Sequence, residues 1–426
     1  MLDDVTPPDG HRLHRQSPKR LEPLSRPART PLHEQAKAAD PSFRTPDEVA
    51  AAEADQLRSQ PTVVHHAAPA TGQRWSWQML SKKQRIIMSS AAVVLAIGLG
   101  AGWTLTHHKR TVDAGAPHPK TAKKAPVATP IYSTLTGLPV ADASVNQKPV
   151  TGVMVENSLD ARPQSGLGAA GVVFEAVAEG GVTRFLGLYQ DSAPDNVGPI
   201  RSARPYFVQW AMGFQAAYAH VGGSDDALQD IKTWGVQDMN QFYNGSSYHR
   251  ISSRAAPHNV YTAISTLNQL ETRKGYASHY NGFPRGKAAP SAQPTATTLN
   301  FHLSGPLYDP SYVYNASTNS YNRSENGQPQ TDAATGKQLS PQVVIAIVVP
   351  LARGALDSTG AYYSDYHVIG SGQAFIFQNG NVTPATWSKT GNSDQITFTD
   401  SGGQPVPLNP GQTWISAVSS ASQVHY

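Results

Sequence analysis

DNVGPIRSARPYFVQWAMGFQAAYAHVGGS, residues 195–224, is the stretch that decides the fold class. Arg201 and Arg204 stand three apart in a turn bounded by Pro199 and Pro205. Behind them Phe207, Trp210 and Ala211 recur at helical spacing, which predicts a short helix over Pro205–Gly213. FQAAYAHV, residues 214–221, is strand-like and passes through His220 into Gly222-Gly223. Ser224 then fits a helix N-cap. Asp225 and Asp226 fall in the first turn, where negative charge is favoured, and the helix runs through Thr233. Strand, turn and helix alternate, which reads as α/β.

Working outward, PVTGVMVEN (149–157), GVVFEAVAE (171–179) and VTRFLGLYQ (182–190) are strand candidates, the last two separated by a Gly180-Gly181 turn. Val182, Arg184, Leu186 and Leu188 alternate onto one side. From about Pro294 the texture becomes β-rich. VVIAIVVP (343–350) is a buried strand, and Asn379-Gly380 between two β runs signals a hairpin because both residues tolerate positive φ. ITFTD and QTWISAVS close the chain. The expectation is an α+β or α/β fold: a mixed-sheet domain at 131–293 and a smaller β-rich domain at 294–426.

Upstream of residue 131 the chain changes character. Residues 1–80 mix Pro, Arg, Ala, Gln and Asp without period, so they bury too little apolar surface to offset ordering entropy and read as a disordered tail. Ile86–Thr106 is uncharged over 21 residues, enough to span a bilayer as a helix. Lys82, Lys83 and Arg85 precede it, Trp75, Trp77 and Trp103 suit the interfaces, and 81–110 therefore reads as a single-pass anchor with a cytoplasmic N-terminus. Ala114-Gly115-Ala116 resembles a signal-peptidase site, but the preceding region is too long for a signal peptide. Gly98 and Gly102 form a G-x-x-x-G, a weak helix-packing motif. Residues 111–130 are an Ala/Pro/Lys spacer.

The net charge of +4 is uneven. Residues 1–130 hold 18 Lys+Arg against 11 Asp+Glu, whereas 131–426 hold 16 against 19, so the folded part is not a basic nucleic-acid binder. With no cysteine, disulfides and Cys-ligated metals are excluded. The chain has no G-x-S-x-G, H-E-x-x-H or G-x-x-x-x-G-K-[ST]; GFPRGK at 282–287 is one residue short of a P-loop.

What remains is an unusual polar inventory: Arg162, Arg184, Arg201, Arg204, Arg250, Arg254, His220, His249, His258, Ser224 and Asn259. Guanidinium forks suit carboxylate or phosphate, and Gly222-Gly223 ahead of a helix start lets backbone N–H groups approach an anion. The expected ligand-binding set is Arg162, Arg184, Arg201, Arg204, His220, Ser224, Arg254, His258 and Asn259. The opposing expectation is an internal ion network in which the same arginines pair with Glu156, Glu175, Glu179 and Asp195. No metal is expected. Asp195, Asp225 and Asp226 are weak candidates to hold Mg²⁺ bridging to phosphate. His249 and His258 have the chemistry for acid–base work.

LTGLPV at Leu135, ARPQSGL at Ala161, VFEAVAEGGVTRF at Val173, DNVGPIRSARPYF at Asp195, AYAHVGGS at Ala217, RAAPHNVY at Arg254, FIFQNG at Phe375 and LNPGQTWI at Leu408 resemble the YerB-like lipoprotein family, a domain of unknown function with N- and C-terminal parts. The resemblance implies an envelope location, with a transmembrane helix in place of the family's lipidated Cys. GPIRSARP and AAYAHVGG also resemble the LytR-CpsA-Psr phosphotransferases, which implies a phosphate ligand. Three functions follow. The first is a membrane-anchored extracytoplasmic module binding an anionic or glycan wall ligand or a wall enzyme. The second is a phosphotransferase or hydrolase acting on lipid-linked wall precursors with Mg²⁺. The third is a scaffold whose arginines serve folding alone.

Overall fold

Strands whose residues are apolar on both faces need cover on both faces, and the chain supplies it. The computed structural model describes residues 129–356 and 362–426. Its main sheet is built from β1 (Thr151–Glu156), β2 (Val172–Val177), β3 (Thr183–Tyr189) and β4 (Ala217–Ala219) of the first half. A second sheet takes β5 (Thr298–Phe301), β6 (Pro310–Asn315), β7 (Ser320–Glu325) and β8 (Gln328–Pro329). The main sheet continues with β9 (Val343–Val348), β10 (Gly370–Gln378), β11 (Asn381–Lys389), β12 (Thr397–Thr399) and β13 (Thr413–Val418), and β14 (Val424–His425) completes the second. The nine-stranded order is β12-β11-β10-β9-β13-β2-β3-β1-β4, and the five-stranded order is β8-β7-β6-β5-β14.

The boundary expected at 293/294 is crossed by the larger sheet. β13 pairs in parallel with β9 on one side and with β2 on the other, so Ile345, Ile415 and Phe174 lie in one row. The row extends antiparallel to Leu186 and Met154. Both segments fall within one compact unit.

Three α-helices lie among the described residues: α1 (Pro205–Met212), α2 (Asp225–Thr233) and α3 (Ile264–Lys274). α1 starts with Pro at its first position, where no N–H is needed. It covers the Phe174 face, with Trp210 stacked on Phe174 at 5.0 Å. The opposite face presents Val153, Val155, Phe185 and Trp414, which cluster with Ile264 and Leu267 of α3. The five-stranded sheet packs on that same face, where Arg323 of β7 lies 4.4 Å from the Trp414 ring. The Asn379-Gly380 hairpin forms as expected, at φ 58° and 77°.

The fold is thus a β-rich mixed-sheet architecture with few helices. Among the described residues no helix is long and apolar enough to cross a membrane. The tail 1–80, the span Ile86–Thr106 and the spacer as far as residue 128 lie outside the described residues.

Candidate functional site

β1 and β4 are parallel neighbours, and in open α/β sheets ligands bind outside the carboxyl ends of parallel strands. Here β1 ends at Glu156 and β4 runs into His220. The Arg201–Arg204 turn straps both ends together. Arg201 N donates to Met154 O at 3.0 Å, Val221 N to Arg201 O at 3.1 Å, and Ala203 N to Gly222 O at 2.9 Å.

Glu156 is the hub of this end. The residue is 3% exposed, and its Oε1 accepts from Ser158 Oγ at 2.9 Å and sits 2.9 Å from His258 Nδ1. Arg201 Nε lies 3.2 Å from the same oxygen. Glu156 Oε2 is buried with no hydrogen bond, and so is Arg201 Nε, whose contact is an ion pair without bond geometry. The Arg201 and His258 side chains stay 25% and 21% exposed.

The neighbouring arginines are inside. Arg184 and Arg204, each about 5% exposed or less, both clamp Glu179: Arg204 at 2.7 Å through Nη2, Arg184 through its own Nη2. Arg184 Nη1 donates to Ser202 O at 2.9 Å, and Arg204 stacks on Tyr363 at 4.6 Å. Burial, reinforced by the Arg204 charge, lowers the Arg184 guanidinium to about 10. Arg162 pairs with Glu325 at 3.1 Å and with Asn157 through Nε at 3.0 Å. Of the four acids expected as internal partners, Glu156 and Glu179 serve these arginines. Glu175 instead holds Arg323 at 2.7 Å, and Asp195 is exposed with no ion pair among the described residues.

The remaining expected residues divide differently. His220 is fully buried, its Nδ1 2.7 Å from Gly222 O and its Nε2 3.0 Å from Asp238. Ser224 takes the N-cap position of α2 but makes no side-chain cap bond, and its buried Oγ has no partner. Arg254 donates to the carbonyls of Asp160 and Pro163, both at 2.8 Å, and so ties two loops together. Asn259 accepts from Arg250 at 2.8 Å. Asp225 and Asp226 are exposed on α2, and among the described residues no three His, Asp or Glu side chains group as metal ligands. The open part of the site is therefore Arg201 and His258 around Glu156. Arg184, Arg204 and His220 stand behind it as buried support.

Sequence reasoning missed Arg323 and Glu325. Arg323 is fully buried against Glu175, 3.5 Å from Glu325, and Glu175 also accepts from Trp414 Nε1 at 2.9 Å and Ser416 Oγ at 2.8 Å. Burial, against the pull of Arg323, raises the Glu325 carboxyl to about 7. The available signal was Glu325-Asn326-Gly327-Gln328, a two-residue turn with φ 53° and 65° that fixes Glu325 opposite Gln328.

Residues 135–277 match the family model described as "Protein of unknown function (DUF3048) N-terminal domain", and residues 299–415 match its C-terminal domain. The chain belongs to the DUF3048 family. YerB, a candidate lipoprotein of Bacillus subtilis (strain 168), is 33% identical over 305 residues, covering 70% of this chain and 88% of its own. The crystal structure of Bacillus subtilis YerB matches with a TM-score of 0.62 at 30% identity, over 69% of this chain and 99% of that one. The DUF3048 N-terminal part carries Glu156, Glu179, Arg201 and His258. The C-terminal part carries Arg323 and Glu325. The charged network joins the two.

Proposed function

We propose that this DUF3048 protein is a membrane-anchored, extracytoplasmic module of the cell envelope that binds an anionic wall ligand through Arg201 and His258. One observation carries the reading. Three guanidinium groups, Arg184, Arg201 and Arg204, stand over the carboxyl end of the sheet on two carboxylates, Glu156 and Glu179. The surplus guanidinium faces outward at Arg201, which is partly exposed, while the exposed Asp160 carboxylate stands 4.0 Å from His258 Nε2 and the two buried arginines hold their field in a poorly screened interior. The location is supported by the relative's designation as a candidate lipoprotein and by the uncharged Ile86–Thr106 segment, in a chain with no cysteine to lipidate. The ectodomain would then stand outside, with residues 1–80 in the cytoplasm.

Binding of poly(glycerol phosphate) to the full-length chain tests it. The affinity should fall with rising salt, as an ion-pairing site requires. Arg201→Ala should weaken binding about tenfold, the equivalent of ~1.4 kcal/mol, and lower the unfolding transition without abolishing it, because it takes an ion-pair partner from buried Glu156 while Ser158 and His258 stay on that carboxylate. Arg204→Ala is the wrong probe, since it strips a buried clamp from Glu179. Binding that Arg201→Ala leaves intact would remove the site assignment.

A further inference from the structure

A cleft of about 300 Å³ opens between the Leu159–Gln164 loop and the β7–β8 hairpin. Gln164 links the cleft to the Arg201 site, because its Nε2 donates to Glu156 O at 3.0 Å. The cleft is charged but balanced: Arg162 and Glu325 both line it and pair with each other at 3.1 Å. Arg162 is engaged by Glu325 and by Asn157, so the cleft offers neither a phosphate nor a cation an unpaired charge. Among the described residues the exposed side-chain amides of Asn326 and Gln328 and the Thr331 hydroxyl, all lining the cleft, bond to no other protein group, and neither does Arg162 Nη1. Leu159, about half exposed, with Pro163 and Pro329, supplies C–H surface. Free amides and a hydroxyl beside an apolar patch, in a charge-neutral cleft of this size, match the donors, acceptors and C–H face of an uncharged sugar bearing an amide.

We propose that this cleft binds a neutral N-acetylated sugar. It is a second subsite, and it does not depend on Arg201 holding an anion. The rim amides take the sugar hydroxyls and the acetamido group, and the C–H face lies on Leu159 and the prolines.

The experiment uses the full-length chain and N,N′-diacetylchitobiose, followed by calorimetry and by saturation-transfer NMR. Wild type should bind it. Leu159→Trp, which fills the cleft from an exposed position, should weaken binding about tenfold or more, and Gln328→Ala should weaken it severalfold, both with unchanged unfolding transitions. Cellobiose, the same scaffold without acetamido groups, should bind more weakly. Arg201→Ala should leave the disaccharide affinity unchanged, and Leu159→Trp should leave poly(glycerol phosphate) binding unchanged, so the two sites fail separately. No binding of the disaccharide by folded wild type, or equal binding by wild type and Leu159→Trp, overturns the proposal. Equal affinity for cellobiose overturns its N-acetyl component.

Discussion

Glu271 is a carboxylic acid sealed in the wrong solvent. It lies on α3 with no exposed surface, facing β1, and its Oε1 accepts from Thr151 Oγ1 at 2.6 Å. No cation pairs with it among the described residues. Burial, opposed by the Thr151 bond, raises the carboxyl from 4.5 to about 7. The sign follows directly. Between those two values the folded protein holds a proton that the unfolded chain has released, so stability falls as pH rises through this window and stays low above it. At ~1.4 kcal/mol per pH unit, the ionised side chain costs about 3 kcal/mol above pH 7. Glu271→Gln removes that cost while keeping an oxygen for Thr151. The Asn268 amide, 3.1 Å away, turns either its oxygen or its nitrogen toward position 271 to suit. Urea denaturation across the acid-to-alkaline range should show the variant equal to wild type at the low end. At the high end it should be more stable by about 2–3 kcal/mol, with an unchanged m-value. Parallel pH profiles for the two proteins would refute the reasoning, because they would mean that Glu271 does not titrate between the folded and unfolded values.

Glu179→Gln should destabilise by about 2–3 kcal/mol in denaturant melts. It strands two buried guanidinium groups, and the value lies below the full cost of breaking a buried pair because Glu179 is partly exposed. Arg323→Met should cost about 3–5 kcal/mol by leaving Glu175 charged in a sealed site, and adding Glu175→Gln should recover a large part of the loss. Topology is testable because the chain has no cysteine. In intact cells Ser317→Cys, on an exposed turn, should react with a membrane-impermeant maleimide, whereas Ser17→Cys should react only after lysis; the reverse pattern would invert the proposed orientation.

Local structure was legible where a residue type forces a conformation. Pro205 began α1, Asp225–Thr233 formed α2, and the Gly180-Gly181 and Asn379-Gly380 turns appeared with positive φ at both residues. Ser224 shows the limit of such reasoning: the position was right, yet its hydroxyl makes no cap bond. Alternation in Thr183–Tyr189 was legible, but not what covers each side. Arg184 sits in phase with Leu186 as expected, and every residue of the strand is buried, so both faces are covered. Sheet order was out of reach, because Val172 meets Thr413 across a sequence gap that no local propensity spans. The arginines announced themselves by composition, whereas their accessibility is a tertiary property. Arg201 and Arg204 are three residues apart in one turn, and only the first keeps an open face.

That division bears on why the two DUF3048 segments travel in one chain. Glu175 comes from β2, Trp414 and Ser416 from β13, and Arg323 from β7, and all four groups are fully buried where they meet. Such a pair is a weak source of stability compared with apolar packing, but losing one partner is costly. Its effect is therefore conditional. With both segments present Glu175 is satisfied, and with the second absent it faces a vacant edge beside β2 with no donor from Trp414, Ser416 or Arg323. β13, inserted in parallel between β9 and β2, imposes the same requirement on the backbone, since without it the Val172–Val177 edge has no partner on that side. The N-terminal segment holds the Arg201 site, but the sheet end that positions it is completed by the C-terminal one. A fragment ending near residue 293 should accordingly lose cooperative unfolding along with ligand binding, even though every residue proposed to touch the anion is still in it.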